Sequence, residues 1–459
     1  MDFKINKLKT LITKFTGGKK QPVEKKYEET LRSAKLSEDA LGLLTNLYET
    51  LGPRPAATKD SRRAARQIAS LFERYVDEKD VTITSARIYT SISKGVLLSL
   101  ILITPIILLL NIFNLPLVSM AIIAVWTASF ILQIRRKRNV FKFLMPSDEA
   151  ANVHAVLEPD DLVEETVVFT AHHDSASENK IQNYLSWRNF SLYYLPFSGV
   201  CVLAITSIVM FILDLLYGHI IPGITSVGYI VSSIIGVLLS YSSLFCLKSM
   251  GLGYVKGAGD NLSGVSVVVQ LARYFASKKK AGNGLKHVRL IFASFDGEEC
   301  GIQGSEAWFK NNSHLLLNAK VINYDGLYKA KDLAFLTQDG NGLVPLNSTL
   351  AIKCAELAHS MGYNIATGKL GIMAGETDAA SAAKAGYKAT TLTSMRPETK
   401  TPAHTHDDTP DKVEIDALTE AISVGIKFVE NEDEFYNNRG NKDNSLSYLE
   451  QNKKYRLTK

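Results

Sequence analysis

The sequence predicts an α/β domain, a mixed and largely parallel sheet sandwiched by helices, that carries four transmembrane helices in two hairpins. Three observations predict it. Strand-like apolar runs alternate with amphipathic segments through the polar part of the chain, as in a sheet covered by helices on both faces. Four nearly charge-free windows occur in two pairs, each close to the ~20 residues a helix needs to cross ~30 Å of hydrocarbon. Acidic and imidazole residues recur where predicted strands end, which is where open α/β sheets bind ligands.

Composition narrows the class. The 459 residues are 46% hydrophobic and 21% charged, which excludes a disordered tail, a collagen-like fibre and a disulfide-stapled miniprotein. Lys plus Arg number 52 against 46 Asp plus Glu, an excess too small and too scattered to point to nucleic acid. Cys201, Cys246, Cys300 and Cys354 form no CxxC pair, and two of them lie in apolar windows. Neither a disulfide framework nor a zinc knuckle is expected.

In chain order, residues 1–26 form a basic segment. Phe3, Leu8, Leu11, Ile12 and Phe15 share one helical face with Lys4, Lys7, Lys9 and Lys14 among or opposite them. That is the pattern of a helix lying on anionic lipid, and equally of a frayed basic tail. Residues 27–92 open the polar domain with helices over 28–51 and 61–76 and a strand over 81–89. Residues 93–134 form the first hairpin, with windows from Gly95 to Phe113 and Leu117 to Ile134 and a turn at Asn114, Leu115 and Pro116. Residues 135–194 resume the domain with strands over 152–157 and 165–171. The second hairpin occupies 195–247, with windows from Leu195 to Leu216 and Ile224 to Leu247; its one internal charge, Asp214, is placed to snorkel to the far interface. Residues 248–431 complete the domain with strands over 287–295 and 321–324 and helices over 264–278, 305–310, 346–361 and 412–431. From Glu432 to the end the chain is polar and reads as a loose tail.

Orientation follows from the cations flanking the windows. Lys94, Arg135, Arg136, Lys137, Arg138, Lys142, Arg188, Lys248 and Lys256 fall on one side, and the two short turns on the other carry none. By the positive-inside rule this predicts a multi-pass cell-membrane protein with its polar domain in the cytoplasm. Trp187, Tyr193, Tyr194 and Tyr217 sit where interfacial aromatics belong. The first apolar run starts too late for a signal peptide. The alternative, a lumenal domain, would open the sequons at Asn189, Asn261, Asn311 and Asn347 to glycosylation.

Five clusters carry the chemistry: Ala171-His172-His173-Asp174-Ser175, Gly259-Asp260-Asn261-Leu262-Ser263-Gly264, Phe295-Asp296-Gly297-Glu298-Glu299, Asn323-Tyr324-Asp325-Gly326, and His404-Thr405-His406-Asp407-Asp408-Thr409. Carboxylate and imidazole donors without a thiolate match catalytic zinc or a similar divalent ion with a position open for water. Taken singly, His172 or His404 is more often an ordinary polar residue, and Glu298-Glu299 a solvated pair.

In combination these motifs resemble the co-catalytic zinc exopeptidases typified by aminopeptidase S and aminopeptidase Y, with glutamate carboxypeptidase, glutaminyl cyclase and the transferrin receptor as relatives. The resemblance runs from about Leu51 to Val429 outside the apolar windows. It begins with Gly52-Pro53-Arg54-Pro55 and keeps all five clusters in the family's order. It implies the zinc exopeptidase fold and two zinc ions per chain. His172 and Asp325 would bind one ion, Glu299 and His404 the other, and Asp260 would bridge them. Glu298 would be the general base and Asp174 the partner that fixes the His172 ring. The Asp260-Asn261 peptide is expected to be cis. His173, His406 and Cys300 are expected to be bystanders. Two departures stand out: Ala403 where many members carry Tyr, and Thr377-Asp378-Ala379 in place of Ser-Asp-His. A whole apolar hairpin also fills the short loop between His172 and Asp260.

The function these features imply is a membrane-anchored zinc aminopeptidase acting on peptides, with the bilayer as its other partner. The alternatives are a single-zinc glutaminyl cyclase and a non-catalytic membrane scaffold. The sequence leaves the oligomeric state open.

Overall fold

The computed structural model describes residues 21–456 apart from 91, 135–139, 179–189, 219–222, 250–252, 341–342, 372–374 and 397. The basic segment over residues 1–20 and the Arg135 to Arg138 cluster, like Trp187 and Arg188, therefore lie outside the described residues. After α1 (Gln21–Leu51) and α2 (Lys59–Glu73) comes β1 (Val81–Tyr89). The apolar hairpin α3 (Ile92–Ile112) and α4 (Pro116–Ile134) precedes β2 (Ser147–Leu157) and β3 (Glu165–His172). The second hairpin, α5 (Phe190–Tyr217) and α6 (Gly223–Tyr241) with the short α7 (Ser243–Ser249), leads to α8 (Ser263–Lys280). There follow β4 (Val288–Phe295), α9 (Gln303–Asn311), β5 (Lys320–Tyr324), β6 (Ala334–Leu336), the small pair β7 (Gln338–Asp339) and β8 (Val344–Pro345), and α10 (Ser348–Ser360). The chain closes with β9 (Ala366–Gly368), α11 (Asp378–Lys384), β10 (Lys388–Thr393) and α12 (Ile415–Arg456).

The main sheet has eight strands in the order β1-β2-β4-β3-β5-β10-β6-β9. Its centre, β4-β3-β5-β10, is parallel, whereas β1 and β2 run antiparallel to their neighbours and β6 antiparallel to β10. The fold class is the mixed sheet between helices that the sequence predicts. Period-two alternation assigns the two faces. Val167, Phe169 and Ala171 pack with Phe292, Ile322 and Tyr324 under helices α1, α2, α8, α10 and α12. Val168, Ile291 and Val321 face the other way, against Trp308 and Phe309 of α9 and Ala379 and Ala382 of α11. Both faces of β3 are buried throughout, so its apolar run shows no polar alternation.

Two expectations need correction. The chain does not loosen at Glu432: α12 continues to Arg456. Glu432 is buried, bonded to Lys320 Nζ at 2.8 Å and to Lys353. Polarity marked the position as solvated, but its carboxylate is neutralised by lysines from β5 and α10. The sequence reading also passes over β6, β9, β10 and α11. β10 buries Thr390, Thr391 and Thr393 beside Ala389 and Leu392, and the hydroxyls conceal a strand from a pattern keyed to apolar residues.

The four helices α3, α4, α5 and α6 with its α7 extension are long and apolar enough to cross a membrane. They pack as one bundle. The Asn111 amide on α3 donates to Ser233 Oγ on α6 (3.0 Å) and accepts from Ser119 on α4 (2.8 Å) and Ser207 on α5 (3.1 Å), tying all four together. At Gly199 a Cβ would lie 2.4 Å from Gly236 O, so α5 and α6 touch backbone to backbone.

Candidate metal centre

The parallel centre of the sheet sends the carboxyl ends of its strands to one edge. His172 is the last residue of β3 and pairs in register with Phe295, the last of β4. The chain beyond Phe295 therefore brings Glu298 and Glu299 beside His172. Asp325 follows β5, its amide bonded to Leu392 O of β10 at 3.1 Å. Asp260 sits in an irregular turn, Ala258–Leu262, just ahead of α8. Its peptide to Asn261 is cis, as the resemblance implies. His404 comes from the loop after β10 and holds φ at 61°, a left-handed conformation uncommon outside glycine and kept where surroundings demand it.

These side chains meet in two sets that share Asp260. His172 Nε2 lies 3.2 Å from Asp260 Oδ1 and 3.5 Å from Asp325 Oδ1. His404 Nε2 lies 3.1 Å from Asp260 Oδ2 and 3.6 Å from Glu299 Oε2. In each set the donor atoms all fall within 4.8 Å of one another, and His172 forms a third such set with Glu298 and Glu299. Glu298 Oε2 is 3.9 Å from His172 Nε2.

Hydrogen bonds behind these atoms fix their directions. Asp174 places Oδ1 3.4 Å from His172 Nδ1. The same carboxylate accepts the main-chain N–H groups of Glu298 (3.2 Å) and Glu299 (3.1 Å), so it orients three of the converging residues together. Asp408 accepts the amides of Gly259 (2.7 Å) and Asp260 (3.2 Å). Asn261 donates to Tyr324 O (2.8 Å) and accepts the amide of Gly264 (3.1 Å). Gly264 has to be glycine, because a Cβ there would stand 2.5 Å from Asn261 Oδ1 and 2.6 Å from Tyr324 O. Asp296 faces away and ties α2 to β2, accepting from Ser61 Oγ (2.9 Å) and from the amides of Ala57 and Ala151 (both 3.1 Å).

Burial and crowding govern the charges. Burial pushes the Glu299 carboxyl up to about 8 against the pull of His404, with Asp260 adding to the rise. Burial, then Glu299 and Asp325, hold Glu298 well above the ordinary carboxylate range although His172 opposes them. Burial would lower both ligating-type histidines, but the surrounding carboxylates outweigh it, with His404 raised to about 10. Asp378 and Asp408 are each pushed to about 7, chiefly by burial. The carboxyls of Asp174, Asp260, Glu298, Glu299, Asp325, Asp378 and Asp408 thus crowd one cleft. Glu299 Oε1 and Asp325 Oδ1 are buried without a hydrogen-bond partner. Crowded carboxyls, orphaned carboxylate oxygens and two imidazoles form a donor set suited to divalent cations.

The remaining candidates stand apart. His173 is buried with Nδ1 2.9 Å from Ser294 Oγ, and burial lowers it to about 3. His406 is exposed, 3.3 Å from Glu178 Oε2. Cys300 enters none of the sets of converging donors. Ala403 is buried and offers no hydroxyl. Sequence reasoning gave no role to Asp408, Asn261, Asp378 or Arg54. Asp408 and Asn261 lie inside quoted motifs, yet they act on main-chain groups, which leave no residue-type signature.

Residues 247–429 match Peptidase family M28. The chain is also similar to several solved structures. The Legionella pneumophila LapA aminopeptidase is 15% identical over 88% of this chain and 74% of that one, with a TM-score of 0.48. A Zn-dependent exopeptidase from Parabacteroides distasonis is 15% identical over 86% and 97%, with a TM-score of 0.47. The Porphyromonas gingivalis glutaminyl cyclase is 13% identical over 86% and 98%, with a TM-score of 0.49.

Proposed function

We propose that this chain, with its match to Peptidase family M28, is a membrane-anchored zinc aminopeptidase. The observation that carries the reading is the pair of donor sets sharing Asp260, with Glu298 alongside. In this reading His172 and Asp325 hold one zinc, Glu299 and His404 the other, and Asp260 both. Zinc in such a site lowers the pKa of a water and polarises the scissile carbonyl. Glu298 takes the proton from the attacking water as the carbon–oxygen bond forms, then delivers it to the departing amine nitrogen as the carbon–nitrogen bond breaks. Asp174 keeps the His172 ring and the Glu298-Glu299 main chain in place.

Charge favours the amino end of the substrate. Beyond the acids assigned to zinc, Asp174, Asp378 and Asp408 are buried around the cleft. When ionised, these carboxylates attract an α-ammonium and repel an α-carboxylate. Anchoring rests on the four apolar helices and on Lys94 and Lys248, which bound the first and last candidate spans on one side. A cytoplasmic domain agrees with Asn261, whose buried side chain is bonded to Tyr324 O and leaves no room for a glycan.

A peptide-library digest by the purified protein in lipid, read by mass spectrometry, tests the proposal. Stepwise loss of amino-terminal residues, stopped by a zinc chelator and restored by zinc, is expected. An untouched library, or cyclised amino-terminal glutamine in place of shortened peptides, would contradict it.

A further inference from the structure

Arg54, from the opening Gly-Pro-Arg-Pro segment, is completely buried behind the candidate metal centre. Its guanidinium bonds to main-chain carbonyls. Nε donates to His173 O (2.7 Å), and Nη1 donates to Gly52 O and Lys256 O (both 2.7 Å). Nη2 points to Gly257 O at 3.4 Å. The Arg54 amide donates to Ser175 Oγ (2.8 Å), and Ser175 N donates back to Arg54 O (2.9 Å).

The places of these acceptors in the chain give the pattern its meaning. His173 and Ser175 follow directly on His172, where the chain departs toward the second apolar hairpin. Lys256 and Gly257 lie where it returns, just before Asp260. One planar fork thus joins the outgoing and incoming feet of an inserted hairpin at the points from which His172 and Asp260 project. Gly257 turns sharply there with φ at +58°, and a Cβ on it would lie 2.0 Å from Asp260 O. Helices in a bilayer tilt and shift with its thickness, and such movement would otherwise reach both side chains.

We propose that Arg54 is a positioning residue that clamps the two feet of the second hairpin and holds His172 and Asp260 at their mutual distance independently of the membrane helices. The consequence for zinc rests on the metal reading above; the clamp itself does not. Lysine cannot replace it, because an ammonium lacks the rigid fork that reaches separated carbonyls together.

The test uses full-length protein in phospholipid nanodiscs, comparing wild type with Arg54→Ala and Arg54→Lys. In the metal-free state, amide hydrogen exchange should quicken over residues 171–178 and 253–262 in both variants while the central strands stay protected. Zinc affinity, measured by chelator competition, should fall about 10–100-fold, the usual cost of losing a group that supports metal ligands. Millimolar guanidinium, but not equal sodium chloride, should slow exchange again in Arg54→Ala. Wild-type exchange at both feet in the variants would overturn the clamp, as would loosening of the whole domain without recovery by guanidinium. If the alanine variant does not fold, the lysine variant decides by its exchange at the feet against the strands. A wild type that binds no zinc would refute the metal reading and leave exchange to judge the clamp.

Discussion

Glu298 and Glu299 are neighbours in sequence with different surroundings. Glu299 Oε2 lies 3.6 Å from His404 Nε2, whereas Glu298 Oε2 lies 3.9 Å from His172 Nε2. Glu298→Gln preserves shape and removes basicity, so kcat should fall by about 10²–10⁴ with zinc content unchanged. Peptide turnover and metal analysis of the same preparation check this; undiminished turnover would remove Glu298 from its role. A second prediction concerns acid stability. His154 on β2 accepts the Trp308 indole N–H at 3.1 Å, and burial lowers it to about 4 from 6.5. The unfolded state then binds the proton more readily, so the stabilisation is complete above pH 6.5 and is lost as pH falls from 6.5 toward 4. The loss amounts to about 3 kcal/mol. Denaturant titrations across that range should show it, with a shallower fall for His154→Gln, which keeps an acceptor for Trp308. At this scale the sequence revealed residues whose side chains converge at strand ends. It concealed Arg54 and Asp408, which serve the backbone.

Among elements, α12 shows how a polar stretch becomes part of the core. Lys320 Nζ sits between Glu165 (2.7 Å) and Glu432 (2.8 Å), joining the starts of β3 and β5 to the helix. Asp433 accepts the amides of Lys286 (2.9 Å) and His287 (2.7 Å) at the head of β4. Without Glu432, Lys320 keeps its Glu165 partner and the half-exposed Lys353 turns to water. Glu432→Ala should therefore cost about 1–3 kcal/mol, the scale of lost charge-assisted hydrogen bonds, measurable as a lower urea midpoint. A change under about 1 kcal/mol would mean that the helix is held by its apolar face alone. Most elements were legible in periodicity, including β1 at Val81–Tyr89. Those missed had different physics: threonines carry β10, and β6 and β9 are three-residue strands too short for any period to register.

For the whole molecule, the two apolar hairpins were legible because length and lack of charge suffice to identify a candidate span. Their union into one bundle through Asn111 was not, since a lone asparagine between serines looks the same in sequence whether or not it bridges four helices. Because the second hairpin leaves and re-enters the domain at the candidate site, that site is expected near the bilayer surface. A lipid-tethered peptide should therefore be cleaved faster than its soluble counterpart by protein in bilayers, and equal rates would remove the reason for the idea. The proposed peptidase chemistry depends on Asp260 serving two ions at once. Metal analysis of the dialysed protein tests this most directly: two zinc ions per chain are expected, and one or none would refute it.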